Sequence, residues 1–362
     1  RLPDVIVVAA NRSGQIVRYF ATGETASYFS SPYARDPASG GYDPARESRM
    51  LASVGKVLTA IAIAAAGRDG PGTLYADTEA PATSGAALEG CGRGTSEGQR
   101  RASVVFACSL NAPLLARAAG LGQGRIKRLI DRFGFVMPPP NADGEGTPPS
   151  TAAVLGQIAG SPRQVHLMSS VVLASLTGNG ARPVRPRSLI RTVDPIASRS
   201  GREPSTTTST SATAIQSAEA TVVPDAVIPR ASHAVLTALL QAPLCHTAGG
   251  QPAGTLKSLA HWCAERRPGV RLHFAKTGTK PTADPSQTVD TWITGGVQFN
   301  DGRAYSYVVL VGTGTVTRPW GRNVNAAQIT PLLDVLLSDL EGKQSRPPGR
   351  STVAANRGTS RP

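Results

Sequence analysis

Aromatic side chains are scarce in this chain: seven Tyr, seven Phe and three Trp among 362 residues. The core must therefore be built mainly from Ala, Val, Leu and Ile. Long apolar runs are also missing. The most apolar stretch, Val57 to Ala66, falls short of the ~20 residues that cross a bilayer and reads as a buried helix. Cysteine is limited to Cys91, Cys108, Cys245 and Cys263, with no C-x-x-C pair and no Cys/His cluster at zinc-ligand spacing, so no metal is expected. An even number fits two disulfides in an oxidising compartment, with Cys91–Cys108 and Cys245–Cys263 as the local choices among three connectivities; four small buried thiols are the alternative. Acidic residues are few: 24 Asp and Glu face 38 Lys and Arg, a net charge of +14. They form no paired constellation, and Asp290 reads as structural. The basic excess does not read as nucleic-acid binding, because it is scattered, partly confined to the tail after Glu341, and not interleaved with aromatics. It is compatible with an anionic cell-envelope surface. The five histidines show no ligand spacing, and no glycine cluster is followed by the Gly-Lys-Ser/Thr of a phosphate loop, so no cofactor is expected.

The chain opens at Arg1, and Arg-Leu-Pro-Asp runs directly into a strand-like segment. It reads as a cut from a longer protein whose targeting or anchoring segment lies outside this chain. Val5 to Ala10 and Gln15 to Phe20 predict a hairpin across Asn11-Arg-Ser-Gly14. A helix is expected to begin near Ser53 and stop near Gly67, with apolar residues at helical spacing between. Residues 21–50, 68–100 and 136–150 read as loops or connectors. Further helices are predicted at Leu110–Ala119, Gln123–Phe133, from Ser161-Pro162 to Gly178, at 231–242 and at 253–266. Residues 198–221 are dominated by Ser and Thr and read as a flexible insertion. Strands at Val270–Lys276, Val289–Phe299 and Ala304–Val311 follow, then a helix at Ala326–Leu340. The order predicts an α+β fold: one antiparallel sheet built from both chain ends, flanked by helices, with an all-helical region beside it. One domain is expected over residues 1–341, with 342–362 a disordered basic tail.

Three short elements carry chemistry. Ser53-Val-Gly-Lys56 begins an apolar helix, Ser109-Leu-Asn111 begins another, and Lys276-Thr-Gly-Thr279 ends a strand. Ser and Lys three apart share a helix face. A serine hydroxyl is a weak nucleophile without a neighbouring base, and a lysine is a base only if burial or a nearby cation lowers its pKa. Ser109 offers a hydroxyl to relay a proton, and Asn111 an amide to hold a substrate amide. Lys276 supplies the second cation, Thr277 and Thr279 two hydroxyls, and Gly278 a close approach for substrate backbone along the strand edge. Each element occurs once, and in this order.

With these motifs the chain resembles the transpeptidase domain of a class A (bifunctional) penicillin-binding protein, over about residues 4 to 340. Val154-Leu-Gly-Gln157 before Ser161-Pro162 is similar to that family's LGQ…SP stretch, and Asp290-Thr-Trp292-Ile-Thr-Gly295 to its DAWFVG strand. The resemblance implies a D-alanyl-D-alanine substrate in peptidoglycan stem peptides, an acyl-enzyme on Ser53, β-lactam inhibitors acylating the same serine, and a periplasmic or extracytoplasmic location. It implies Lys56 as base, Ser109 as proton relay tuned by Lys276, and Asn111 as substrate-amide ligand. Thr277 and Thr279 then bind the terminal carboxylate, and the Ser53 and Thr279 N–H groups form the oxyanion hole. Leu51-Ala52 stands where the family has Pro-Gly; the Ser/Thr-rich insertion and the cysteines are not family features, and no glycosyltransferase segment is present. A D,D-carboxypeptidase or endopeptidase would use the same residues with water as acceptor. A β-lactamase is less favoured, since no Glu-x-x-x-Asn element is evident in the central region. A scaffold protein retaining the fold is the non-enzymatic alternative.

Overall fold

In a computed structural model of the chain, residues 4–21, 49–77, 91, 99–121, 123–137, 149–178, 227–281, 288–312 and 326–342 are described. The expected insertion at 198–221 lies outside these residues, as does the expected tail 342–362 apart from Gly342, which ends the last helix. Strands β1 (Asp4–Asn11) and β2 (Ile16–Ala21) form the N-terminal hairpin. Strands β3 (Val270–Pro281), β4 (Thr288–Phe299) and β5 (Ala304–Gly312) come from the other end of the chain. All five join one sheet in the order β2-β1-β5-β4-β3, each neighbouring pair antiparallel. The two chain ends meet at β1 and β5, where Val5 faces Val311 and Val8 faces Val308.

These strands are continuous apolar runs because both faces of the sheet are covered. Ile6, Val8, Val308 and Leu310 point into one core, while Val7, Ala9, Val309 and Val311 point into a second. Eight helices are described: α1 (Lys56–Ala66), α2 (Ala102–Ala107), α3 (Ala112–Ala119), α4 (Gln123–Phe133), α5 (Pro149–Leu155), α6 (Pro162–Leu176), α7 (His233–Cys245) and α8 (Ala326–Gly342). The first core is closed by side chains of α1 to α7 and the second mainly by α8 and the segment around Trp262. Among the described residues no helix is long and apolar enough to cross a membrane.

The α+β architecture matches the sequence expectation, with differences that have physical causes. The helix expected at 253–266 is only a 3-10 helix, Lys257–Trp262, kinked at Leu259. Apolar spacing predicted a helix there, but Cys263 is bonded to Cys245 and Trp262 is anchored to Asp334 on α8, so tertiary ties set the path. The helix expected from Leu110 starts at Ala112, where Pro113 fits a first turn. Helix α2 was not anticipated, and the supposed loop 68–100 contains a short ladder of Leu74–Ala76 with Gln99–Arg101. The helix opens at Ser161-Pro162 as expected, and Ser161 forms a full capping box with Gln164. Both local disulfides form, Cys91–Cys108 and Cys245–Cys263, and among the described residues no cysteine is free.

The sheet is tied to the segment before α1 by a buried ion pair, Arg49 Nη1 to Asp290 Oδ1 at 3.0 Å, and by Trp292 Nε1 donating to the Met50 carbonyl at 3.1 Å. Removing one partner leaves the other charge buried. Asp290→Ala is expected to lower stability by about 3–5 kcal/mol, read as a lower urea midpoint with unchanged slope; a midpoint within error of the parent would show that the pair does not hold the two segments together.

Candidate active site

Ser53 sits on a 3-10 turn, Ala52–Gly55, that leads into α1. The α-helix proper begins at Lys56, and Ser53 does not cap it through its side chain, contrary to the sequence expectation. The turn is pinned on its N-terminal side. Leu51 N–H donates to the Ile158 carbonyl at 2.8 Å, and Arg49–Met50 pairs with Ala159–Gly160. Behind the turn, Gly55 meets Gly156 so closely that a Cβ on either would lie 2.6 Å from the other's Cα. The Leu-Gly-Gln stretch is thus the floor on which the Ser53 turn rests. Ala52, in the position of the missing Pro-Gly, adopts φ +49°, a conformation that costs a non-glycine residue about 1–2 kcal/mol.

Lys56 is only 1% exposed. Its Nζ donates to Asn111 Oδ1 at 2.6 Å and to the Ser109 carbonyl at 2.8 Å, and lies 3.3 Å from Ser109 Oγ. Ser109 occupies the turn between α2 and α3 with φ +56°. That conformation brings both its carbonyl and its hydroxyl toward the lysine. From the opposite side Lys276 Nζ, fully buried, donates to Ser109 Oγ at 2.8 Å and to the Thr277 carbonyl at 3.0 Å. Burial lowers the Lys56 pKa to about 7. Burial also depresses Lys276 well below the usual lysine range, with the Lys56 charge as a second cause. With Oδ1 accepting from Lys56, the NH₂ group is the donor end of the Asn111 side chain.

Lys276 to Thr279 lie on β3, the edge strand of the sheet. Side chains alternate along a strand, so Lys276 reaches Ser109 while Thr277 Oγ1 donates to Thr255 Oγ1 at 3.2 Å. A Cβ at Gly278 would lie 2.5 Å from the Leu51 carbonyl oxygen and 2.8 Å from Val54 N. The glycine is also what lets the strand seat against the Ser53 turn. Hydrogen bonds therefore join Lys56, Ser109, Asn111 and Lys276, and backbone packing brings Leu51 and Val54, which bracket Ser53, against Gly278. Thr277 and half-buried Thr279 follow on the same strand. Thr255 was not anticipated, because it lies in a stretch whose apolar spacing suggested a helix. Among the described residues no group of His, Cys, Asp and Glu is placed to hold a metal ion.

No protein-family model and no curated protein sequence matches the chain. Solved structures do. The penicillin-binding protein PonA1 of Mycobacterium tuberculosis matches with a TM-score of 0.55 at 18% identity, over 99% of this chain and 85% of that one. The PBP2 of Pseudomonas aeruginosa, in complex with WCK 5153, matches with 0.55 at 15% identity, over 96% and 74%. The TP domain of Burkholderia pseudomallei penicillin-binding protein 3 matches with 0.52 at 14% identity, over 95% and 90%. The chain has the penicillin-binding transpeptidase fold. Proteins of several penicillin-binding types share that likeness, so it does not single out the bifunctional class. In this penicillin-binding fold the sheet edge, the turn before α1 and the α2–α3 turn converge from three directions.

The seat at Gly278 is open to test. Gly278→Ala forces backbone atoms of strand and turn apart, with an expected loss of about 1–3 kcal/mol in urea unfolding. Parental stability in this variant would show that the strand and the Ser53 turn are not packed as described.

Proposed function

We propose that the protein is a serine acyl-transfer enzyme, a D,D-transpeptidase acting on peptidoglycan stem peptides. The observation that carries this reading is the convergence of two buried lysines on the Ser109 hydroxyl beside the Ser53 turn. Two ammonium groups so close in a dry site disfavour each other. One amine therefore gives up its proton at neutral pH, and Lys56, one turn after Ser53, is the one placed to act as base.

In the proposed reaction the Ser53 Oγ–C bond forms at the carbonyl of the penultimate D-alanine as the neutral Lys56 amine takes the serine proton. The developing oxyanion is held by the Ser53 and Thr279 N–H groups. The C–N bond to the terminal D-alanine then breaks, and Ser109 hands a proton to the departing amine, its hydroxyl oriented by Lys276. Lys56 replaces that proton through Ser109. An amine of a second stem peptide then attacks the ester, Ser53 recovers its proton, and a cross-link is formed; water in that place gives the carboxypeptidase outcome. Thr277 and Thr279 are assigned to the terminal carboxylate and Asn111 to a substrate amide. β-Lactams are the expected inhibitors, a reading supported by the similar PonA1 protein solved with penicillin V. Such chemistry takes place outside the cytoplasm, on the cell wall.

Fluorescent penicillin followed by digestion tests the reading. Stable label is expected on the peptide containing Ser53 and absent in Ser53→Ala. Rapid release of opened drug would make the protein a β-lactamase, and binding without acylation would make it a scaffold.

The pH dependence follows from the lysine. The unprotonated amine is the active form, so a pKa of about 7 places the rise in acylation rate around neutrality. The rate is expected to fall about tenfold per pH unit below that midpoint, measured by stopped flow. A rate that is flat down to pH 5.5 would remove Lys56 as the base.

A further inference from the structure

Thr255 is absent from every motif of the sequence, yet its hydroxyl lies at hydrogen-bond distance from the Thr277 hydroxyl, on the edge strand of the site. The segment that carries it is held on several sides. Thr255 N–H donates to the Ala107 carbonyl at 2.9 Å, two residues before Ser109, and Leu256 N–H donates to the Pro243 carbonyl of α7 at 2.9 Å. Gly254 is pressed against that same carbonyl, so that any Cβ there would lie 2.2 Å from the oxygen. The Cys245–Cys263 bond closes the loop around it. Thr255 is half-buried, so its hydroxyl is fixed in place without being sealed from the site.

Hydroxyl chemistry gives this contact a use. Each threonine has one proton to donate and two lone pairs to accept with. Thr277 cannot donate to Thr255 and to a ligand anion at once. When a carboxylate arrives, the pair can reverse: Thr255 donates to Thr277, and Thr277 donates to the anion. Both hydroxyl dipoles then point at the negative charge, and the donor to the anion is polarised by its neighbour. We infer that Thr255 is a positioning residue that orients the Thr277 hydroxyl for a substrate carboxylate. The inference rests on the acyl-transfer reading and extends its carboxylate site by one residue.

The test compares benzylpenicillin with its methyl ester, which lacks the anion, as acylating agents for the wild-type protein, Thr255→Val and Thr255→Ser. For the free acid, Thr255→Val is expected to lose about five- to thirty-fold in second-order acylation rate, and Thr255→Ser to retain most of it. For the ester all three proteins are expected to react alike. An equal loss with acid and ester would assign Thr255 a purely structural role, and no loss with either would remove it from the site; both overturn the inference. Failure of the wild-type protein to acquire label at Ser53 would instead overturn the acyl-transfer reading, and this inference with it.

Discussion

Two amines are held away from water on either side of one hydroxyl, and the chemistry of the site depends on that placement. Taking an ammonium group out of water costs several kcal/mol. The acceptors named around these two are neutral: the Ser109 carbonyl and hydroxyl, the Asn111 amide oxygen and the Thr277 carbonyl. Neutral acceptors compensate a buried cation only in part. The remaining imbalance lowers the pKa of both amines, Lys56 to about 7, and in the proposed reaction that shift is what makes a lysine serve as a base. The same contacts orient the amines, so basicity and geometry come from one set of atoms.

Holding that arrangement requires strained backbone. Ala52 and Ser109 have the positive φ values found among the non-glycine described residues, and both flank the lysines. Strain of about 1–3 kcal/mol at each persists only where the surroundings over-determine the conformation. At Ala52 they do so through the Leu51–Ile158 hydrogen bond and the contact of Gly55 with Gly156. At Ser109 they do so through the Leu110 N–H to Val105 carbonyl bond and the two lysines themselves. The covered sheet supplies the reference frame. Its edge strand must come near enough to touch the Ser53 turn, and a side chain at position 278 would prevent this.

Much of this was legible in the sequence, because the chemistry and the elements coincide. The apolar runs at both chain ends gave the strands, and the helix start at Pro162 follows from Ser161-Pro162, whereas the helices expected from Ser53 and Leu110 begin at Lys56 and Ala112. The three motifs named the lysines, serines and asparagine that the fold brings together. Contacts at long range were not legible. The use of Gly278 depends on where Leu51 and Val54 lie, more than two hundred residues away. Thr255 carries no motif, and its stretch has the apolar spacing of a helix. Long-range ties, among them the disulfide to Cys245 and the anchoring of Trp262 on α8, hold it in another shape. Leu51-Ala52 stands where Pro-Gly was expected before Ser53, and Ala52 adopts a left-handed backbone there.

The cysteines, which the resemblance did not account for, find a physical place here. An aromatic-poor core of Ala, Val, Leu and Ile stabilises helices and strands well, but the hydroxyl-bearing turns lie at its margin. Cys108 immediately precedes Ser109, and the Cys245–Cys263 bond encloses the loop that presents Thr255. The bonded residues are separated by 17 and 18 positions. Closing a loop of this size removes unfolded-state entropy equivalent to about 3 kcal/mol. Each bond applies that constraint next to a hydroxyl facing Lys276 or Thr277, where the apolar core contributes least. The two disulfides therefore do locally, for two turns, what the sheet does for the edge strand: they fix a hydrogen-bonding group whose usefulness depends on position to within a few tenths of an ångström.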